Sequence, residues 1–111
     1  MCGLVGIVSL KENNSQLVNQ IKLMNNFLSH RGPDDEGYYF HNNVALGHKR
    51  LSILDLSKKG SQPMIDPETK NVLVFNGEIY NFLDLKISLE KKGEIFFSNS
   101  DTEVILKLYK L

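Results

Sequence analysis

The longest apolar stretch in this chain runs only from Leu4 to Val8, and Gly6 interrupts it. A bilayer-spanning helix takes about 20 consecutive apolar residues, so no segment here reads as one, and the core must be assembled from short elements. With 111 residues, the chain amounts to one domain at most, or part of one. A chain of this size buries roughly 65% of its unfolded surface, and 41% hydrophobic residues is too many for a disordered tail. The single cysteine, Cys2, can make no internal disulfide, so the fold must rest on packing alone.

Thirteen basic side chains balance thirteen acidic ones. Zero net charge and the lack of a basic stripe argue against a nucleic-acid partner or an anionic membrane surface, both of which need an excess of Lys and Arg. The start, Met1-Cys2-Gly3-Leu4, has neither the basic region nor the cleavage site of a secretory signal, and position 2 lacks the Gly that myristoylation requires. The expected location is the cytoplasm. Eleven of the basic residues are Lys and only two are Arg, Arg31 and Arg50. Arg is worth keeping where its planar fork of donors grips a carboxylate with two parallel bonds.

Residues 3 to 9 predict a buried strand, with Val5, Ile7 and Val8 among Gly3 and Gly6. From Ser15, the helical spacing of Leu17, Ile21, Met24 and Leu28 predicts an amphipathic helix ending before Gly32-Pro33. Strands are expected at 37–41, 44–46 and 51–54, the first two joined by Asn42-Asn43. A second hairpin is expected between Met64-Ile65 and the run from Val72 to Phe75. Asn81 can cap a helix carrying Phe82, Leu85 and Leu89, which Gly93 stops. A strand from Glu94 to Phe97 then precedes Ser100-x-x-Glu103, a capping box opening a helix with Val104, Leu108 and Leu111 on one face. The class is α+β, dominated by antiparallel pairs. The last helix carries no stop signal and one sheet face lacks a cover, which reads as a fragment.

Four segments can carry chemistry. If Met1 is trimmed, Cys2 holds both a thiol and a free α-amine, roughly 3 Å apart by covalent geometry, within the reach of a nucleophile and its base. A terminal Cys without a role is the plain alternative. Asn76-Gly77-Glu78 follows a strand and offers an amide and a backbone N–H, the donor pair of an oxyanion hole, or simply a turn. Arg50 sits at the mouth of a strand beside Ser52 and Asp55. Asp101 follows the capping Ser100, as a ligand or as a first-turn acid favoured by the helix dipole. His30, His41 and His48 lack metal-ligand spacing with one another or with Cys2, so no metal is expected.

Six ordered segments together resemble the glutaminase domain of glutamine-hydrolysing asparagine synthetases. They are Met1 to Ile7, His30 to Gly37, Arg50 to Leu56, Gln62-Pro63-Met64, Asn76 to Asn81 and Ser100 to Leu106. The resemblance is collinear and runs the length of the chain, which it identifies as the N-terminal part of a class II glutamine amidotransferase domain. It implies an N-terminal-nucleophile hydrolase with an αββα sandwich, only the first part of it present. Cys2 would be the nucleophile, its amine the proton shuttle, and Asn76 with Gly77 the oxyanion donors. Arg50 would hold the α-carboxylate of glutamine, Glu78 and Asp101 its α-amino group, and Arg31 would support the loop of the nucleophile. A zwitterion independently calls for a fixed cation and at least one anion.

The reaction implied is thiolate attack on the side-chain amide, loss of ammonia and hydrolysis of a γ-glutamyl thioester, with no cofactor. In the family, ATP and Mg serve a C-terminal synthetase domain absent here, and a homodimer of the parent is expected. Ser61, where relatives often have His, is a small departure in a loop. The competing readings are a non-catalytic remnant acting as an interaction module and the glutaminase domain of another class II amidotransferase. Val5, Ile7, Val72 and Val74 are expected on a sheet face that needs an opposing sheet, so the isolated chain should associate and be nearly inactive.

Overall fold

Pairing between the first and third strands sets the geometry of the molecule. In the computed structural model, which describes residues 2–11, 14–51 and 57–111, β1 (Gly3–Val8) runs antiparallel to β3 (Val44–Arg50), and β3 runs antiparallel to β2 (Asp35–His41). The strand order is therefore β1-β3-β2. β2 and β3 form the expected hairpin, and Asn42 in its turn takes φ 51°, a left-handed conformation that Asn adopts more readily than most side chains.

Helix α1 (Asn14–Asn26) crosses one face of this sheet. Leu17 and Ile21 are fully buried against Ala45, with Val5, Ile7, Tyr38 and Phe40 packed around them. The register explains the grouping: Val5 and Tyr38 flank Gly47, and Ile7 and Phe40 flank Ala45, so all lie on one pleat face. Burying Leu17 and Ile21 stabilises the sheet by about 1.5 to 3 kcal/mol each. The helix stops at Asn26 rather than reaching Gly32, because residues 27–31 continue as turns closed by Leu28 N–H to Asn25 O and Arg31 N–H to Leu28 O.

Val5 and Ile7 are thus covered by α1, which corrects the expectation that they face an opposing sheet. The apolar surface left open belongs to the other pleat face, where Leu4 and Val8 are exposed. At its far end that face is covered by the segment after Gly60. There Gly37 is indispensable: a Cβ at this position would sit 2.0 Å from the carbonyl oxygen of Gln62, at the cis Gln62–Pro63 peptide.

The second region begins with a hairpin of β4 (Met64–Ile65) and β5 (Val72–Leu73). Its turn is organised by Asp66, which accepts the Thr69 N–H at 2.9 Å and the Thr69 hydroxyl at 2.7 Å, and pairs with the Lys107 Nζ at 2.8 Å. Burial by itself would raise the Asp66 carboxyl, but the Lys107 ammonium and the two Thr69 donors outweigh it and hold it down at about 2. Helix α2 (Phe82–Lys91) packs on α3 (Asp101–Lys110), and α3 on β5.

Five local expectations change here. β5 pairs only over Val72 and Leu73, since the Phe75 N–H bonds the Gln62 side chain instead of a strand. No strand forms from Glu94 to Phe97: the Phe97 and Ser98 N–H groups are taken by the Glu103 carboxylate, both at 2.8 Å. Ser100 does cap α3 through the Thr102 N–H, yet Glu103 reaches past Ser100 rather than closing a box on it. Val104 is buried on α3, whereas Leu108 and Leu111 are exposed and Leu106 is buried in their place. Asn81 precedes α2 without a side-chain capping bond. Of the strand expected at 51–54, residues 52–54 lie outside the described residues, as do Met1 and Asp55.

Candidate active site

The register that pairs Gly3 with Lys49 carries residue 2 to the end of β3, where the chain continues through Arg50 and Leu51. The Cys2 thiol is held there by one residue: the Leu51 N–H donates to Sγ at 3.3 Å, and Sγ lies 3.5 Å from the Leu51 carbonyl. Arg31 fixes the backbone of the same residue, its Nε donating to the Cys2 carbonyl at 3.2 Å. Gly32 beside it runs against β3 so closely that a Cβ would stand 2.3 Å from the Lys49 carbonyl carbon.

A pocket of about 400 Å³ opens over this thiol. Cys2, Arg50, Asn76, Gly77, Glu78 and Asp101 all line it, so every residue singled out in the sequence for catalysis or substrate binding meets in one place. Arg50 is buried and donates from Nη1 to the Ser57 carbonyl at 2.7 Å. No carboxylate among the described residues forms an ion pair with it. Asp101 is buried at the first turn of α3 and accepts the Ile79 N–H at 2.9 Å, which ties the segment after Glu78 to the helix. Asn76, Gly77 and Glu78 are exposed.

Residues to which the sequence gave no individual role complete the wall: Gly60, Gln62, Phe75, Tyr80 and Thr102. Gln62 is the most consequential, since it is buried and spends its amide on both sides, accepting the Phe75 N–H at 2.6 Å and donating to the Thr102 hydroxyl at 3.2 Å. The signal available in the sequence was a polar amide directly before Pro63 in a segment already noted as a motif. His48 lies beneath the pocket wall, fully buried, with Nε2 3.3 Å from the Phe75 carbonyl. Burial holds its imidazole below the ordinary value, with the Arg50 guanidinium adding to the effect and the Phe75 bond and Asp35 opposing it. Among the described residues, no three His, Cys, Asp or Glu side chains converge as a metal site would require. None of the described helices is long and apolar enough to cross a membrane.

One guanidinium and two carboxylates around a thiol suit a small zwitterion carrying an electrophilic carbon. Comparison with known proteins agrees in kind. The family profile described as "Glutamine amidotransferase domain" matches residues 1–111. The chain is 43% identical over 113 residues to the glutamine-hydrolysing asparagine synthetase 1 of Bacillus subtilis, covering 99% of this chain and 18% of that protein. It is 42% identical to the putative glutamine-hydrolysing asparagine synthetase 2 of Methanocaldococcus jannaschii, covering 98% and 24% respectively. Against the glutamine-hydrolysing asparagine synthetase B of Escherichia coli the identity is 37%, with 99% and 20% covered. The chain therefore spans about a fifth of the length of these relatives, and over its whole length it belongs to the glutamine amidotransferase domain family.

Proposed function

We propose that this chain is the glutamine-hydrolysing part of an asparagine synthetase-type amidotransferase, with Cys2 as the nucleophile. The observation that carries the reading is the meeting of Cys2, Arg50, Asn76, Gly77, Glu78 and Asp101 around one pocket. Arg50 binds the α-carboxylate of glutamine, while Glu78 and Asp101 receive its α-amino group. The charges thus orient the head of the substrate, leaving the side-chain amide over the thiol. The α-amine freed by removal of Met1 takes the thiol proton, and the thiolate attacks the amide carbon. The Asn76 amide and the Gly77 N–H hold the oxyanion, where preorganised donors act most strongly. The amine then protonates the leaving nitrogen as ammonia, and water hydrolyses the γ-glutamyl thioester to glutamate and free thiol.

We extend the same reading to the rest of the protein. The fold is the first part of an αββα sandwich of the N-terminal-nucleophile hydrolases. The ammonia passes to a C-terminal synthetase domain that uses ATP and Mg, in a cytoplasmic and homodimeric parent. Cys2→Ala in the full-length protein should abolish glutamine hydrolysis and glutamine-dependent synthesis while sparing synthesis from added ammonia. Equal loss of both would make Cys2 structural, and intact mass showing Met1 retained in an active protein would remove the amine as base.

A further inference from the structure

Phe75 immediately precedes Asn76 and Gly77, yet no strand holds it. The ladder of β4 and β5 ends at Leu73. Two buried side chains take over where the ladder stops: Gln62 Oε1 accepts the Phe75 N–H, and His48 Nε2 meets the Phe75 carbonyl. A carbonyl only accepts, so Nε2 carries the proton and Nδ1 is the bare nitrogen. That Nδ1 is buried and has no hydrogen-bond partner among the described residues. An unsatisfied buried nitrogen costs more than one neutral hydrogen bond returns, so a fold selecting for stability alone is better served by an apolar side chain of the same shape. What the imidazole supplies, and an apolar side chain cannot, is the donor to Phe75.

Gln62 ties the same segment to the other half of the pocket. Its Nε2 donates to the Thr102 hydroxyl, one residue beyond Asp101. His48 stands on β3 two residues before Arg50. The two grips therefore reference the position of Asn76 and Gly77 to the strand carrying Arg50 and to the helix carrying Asp101.

We propose that His48 and Gln62 are positioning residues for the oxyanion-binding segment, clamping Phe75 by its carbonyl and its N–H so that Asn76 and Gly77 meet the transition state in register. The proposal rests on the glutaminase reading above and adds to it the groups that hold the oxyanion donors. Neither side chain exchanges a proton with substrate. Their effect belongs to kcat, because Arg50 and Asp101 stay in place and the Asp101 bond to the Ile79 N–H holds the chain just beyond Glu78, whereas the oxyanion exists only once attack has begun.

The test is steady-state glutamine hydrolysis by the full-length protein and its Cys2→Ala, His48→Leu, Gln62→Leu, His48→Gln and His48→Asn variants, with Cys2 alkylation by iodoacetamide as a check on the thiol. His48→Leu and Gln62→Leu should each lower kcat about 10- to 100-fold, with KM changed less than about threefold and alkylation at the parent rate. His48→Gln, whose amide nitrogen reaches where Nε2 stands, should return kcat to within about threefold of the parent. His48→Asn, shorter by a methylene, should not. A His48→Leu kcat within about twofold of the parent, a loss falling on KM, or equal activity of the Gln and Asn variants would overturn the proposal. If His48→Leu fails to fold, the Gln and Asn pair decides by itself. Hydrolysis persisting in Cys2→Ala would instead overturn the glutaminase reading, a separate outcome.

Discussion

The two regions of this molecule are held by different physics. The sheet of β1, β3 and β2 with α1 is centred on aliphatic packing of Leu17, Ile21 and Ala45, and the polar residues it buries, Asn25, His48, Lys49 and Arg50, include no carboxylate. The region from β4 onward buries Met64, Leu89, Val104 and Leu106, but also buries Asp66, Ser98, Glu103 and Lys107. Its loops are fixed by carboxylates: Asp66 organises the hairpin turn, and Glu103 takes the place of a strand partner for Phe97 and Ser98. Apolar packing has no charge to titrate, whereas a buried charge must be fully partnered or the structure opens. The pocket lies between the two, taking Cys2 and Arg50 from the first region and Asn76, Gly77, Glu78 and Asp101 from the second.

The largest effect expected is that of Asp66→Ala, which strands the ammonium of Lys107, a residue only 4% exposed. The expected loss is about 3 to 5 kcal/mol in urea unfolding followed by circular dichroism. Asp66→Leu combined with Lys107→Met should recover most of it, since removing both charges removes the penalty. A loss under about 1 kcal/mol for Asp66→Ala alone would mean that the pair does not hold the second region.

Arg50→Lys probes the contribution of the first region to the pocket. The charge persists but the planar fork is gone, so kcat/KM for glutamine should fall by about ten- to a hundredfold, on the order of 1.5 to 3 kcal/mol. An unchanged kcat/KM would place the carboxylate contact elsewhere.

Acid should separate the regions next. Asp66 holds its proton less readily folded, at about 2, than at its ordinary value of 3.8. The unfolded chain therefore takes up the proton first, and the stabilisation present above about pH 4 is lost as the pH falls to about 2, amounting to roughly 2 kcal/mol. Asp35, on β2 of the first region, is also held low: the Ser61 hydroxyl, Lys58 and the Glu36 N–H overcome the opposing effect of burial, so the first region too loses some stability in acid. Amide exchange followed from pH 5 to 2 should show α3 losing protection before α1. The reverse order would contradict the division drawn here.

The smallest expected effect is Ile21→Val, about 0.5 to 1.5 kcal/mol and independent of pH between 5 and 2. A strong pH dependence of that loss, read from denaturation midpoints, would show the two regions to be coupled more tightly than their interiors suggest.

Much of the secondary structure was legible because its signals are local. The spacing of Leu17 and Ile21, the Asn42-Asn43 turn, the hairpin after Met64-Ile65 and the Ser100 cap each act within a few residues, and each forms as expected. The strand expected from Glu94 to Phe97 failed because its β-prone side chains could not outweigh a carboxylate six residues along the chain that satisfied its backbone. The same limit applied to Phe75, whose backbone partners lie 13 and 27 residues away.

The order of residues sets which chemistry the chain can offer: one thiol next to the start, two Arg, an Asn-Gly pair and an acid at a helix entrance. That these groups meet is a matter of folding. The antiparallel register of β1 on β3 brings Cys2 to Leu51, and the buried amide of Gln62 draws Phe75 and Thr102 to the same wall. The physical reason is range. Periodicity and capping are settled by neighbours along the chain, whereas register and the partnering of buried polar groups depend on which distant backbone lies opposite, and that is fixed only when the whole chain packs.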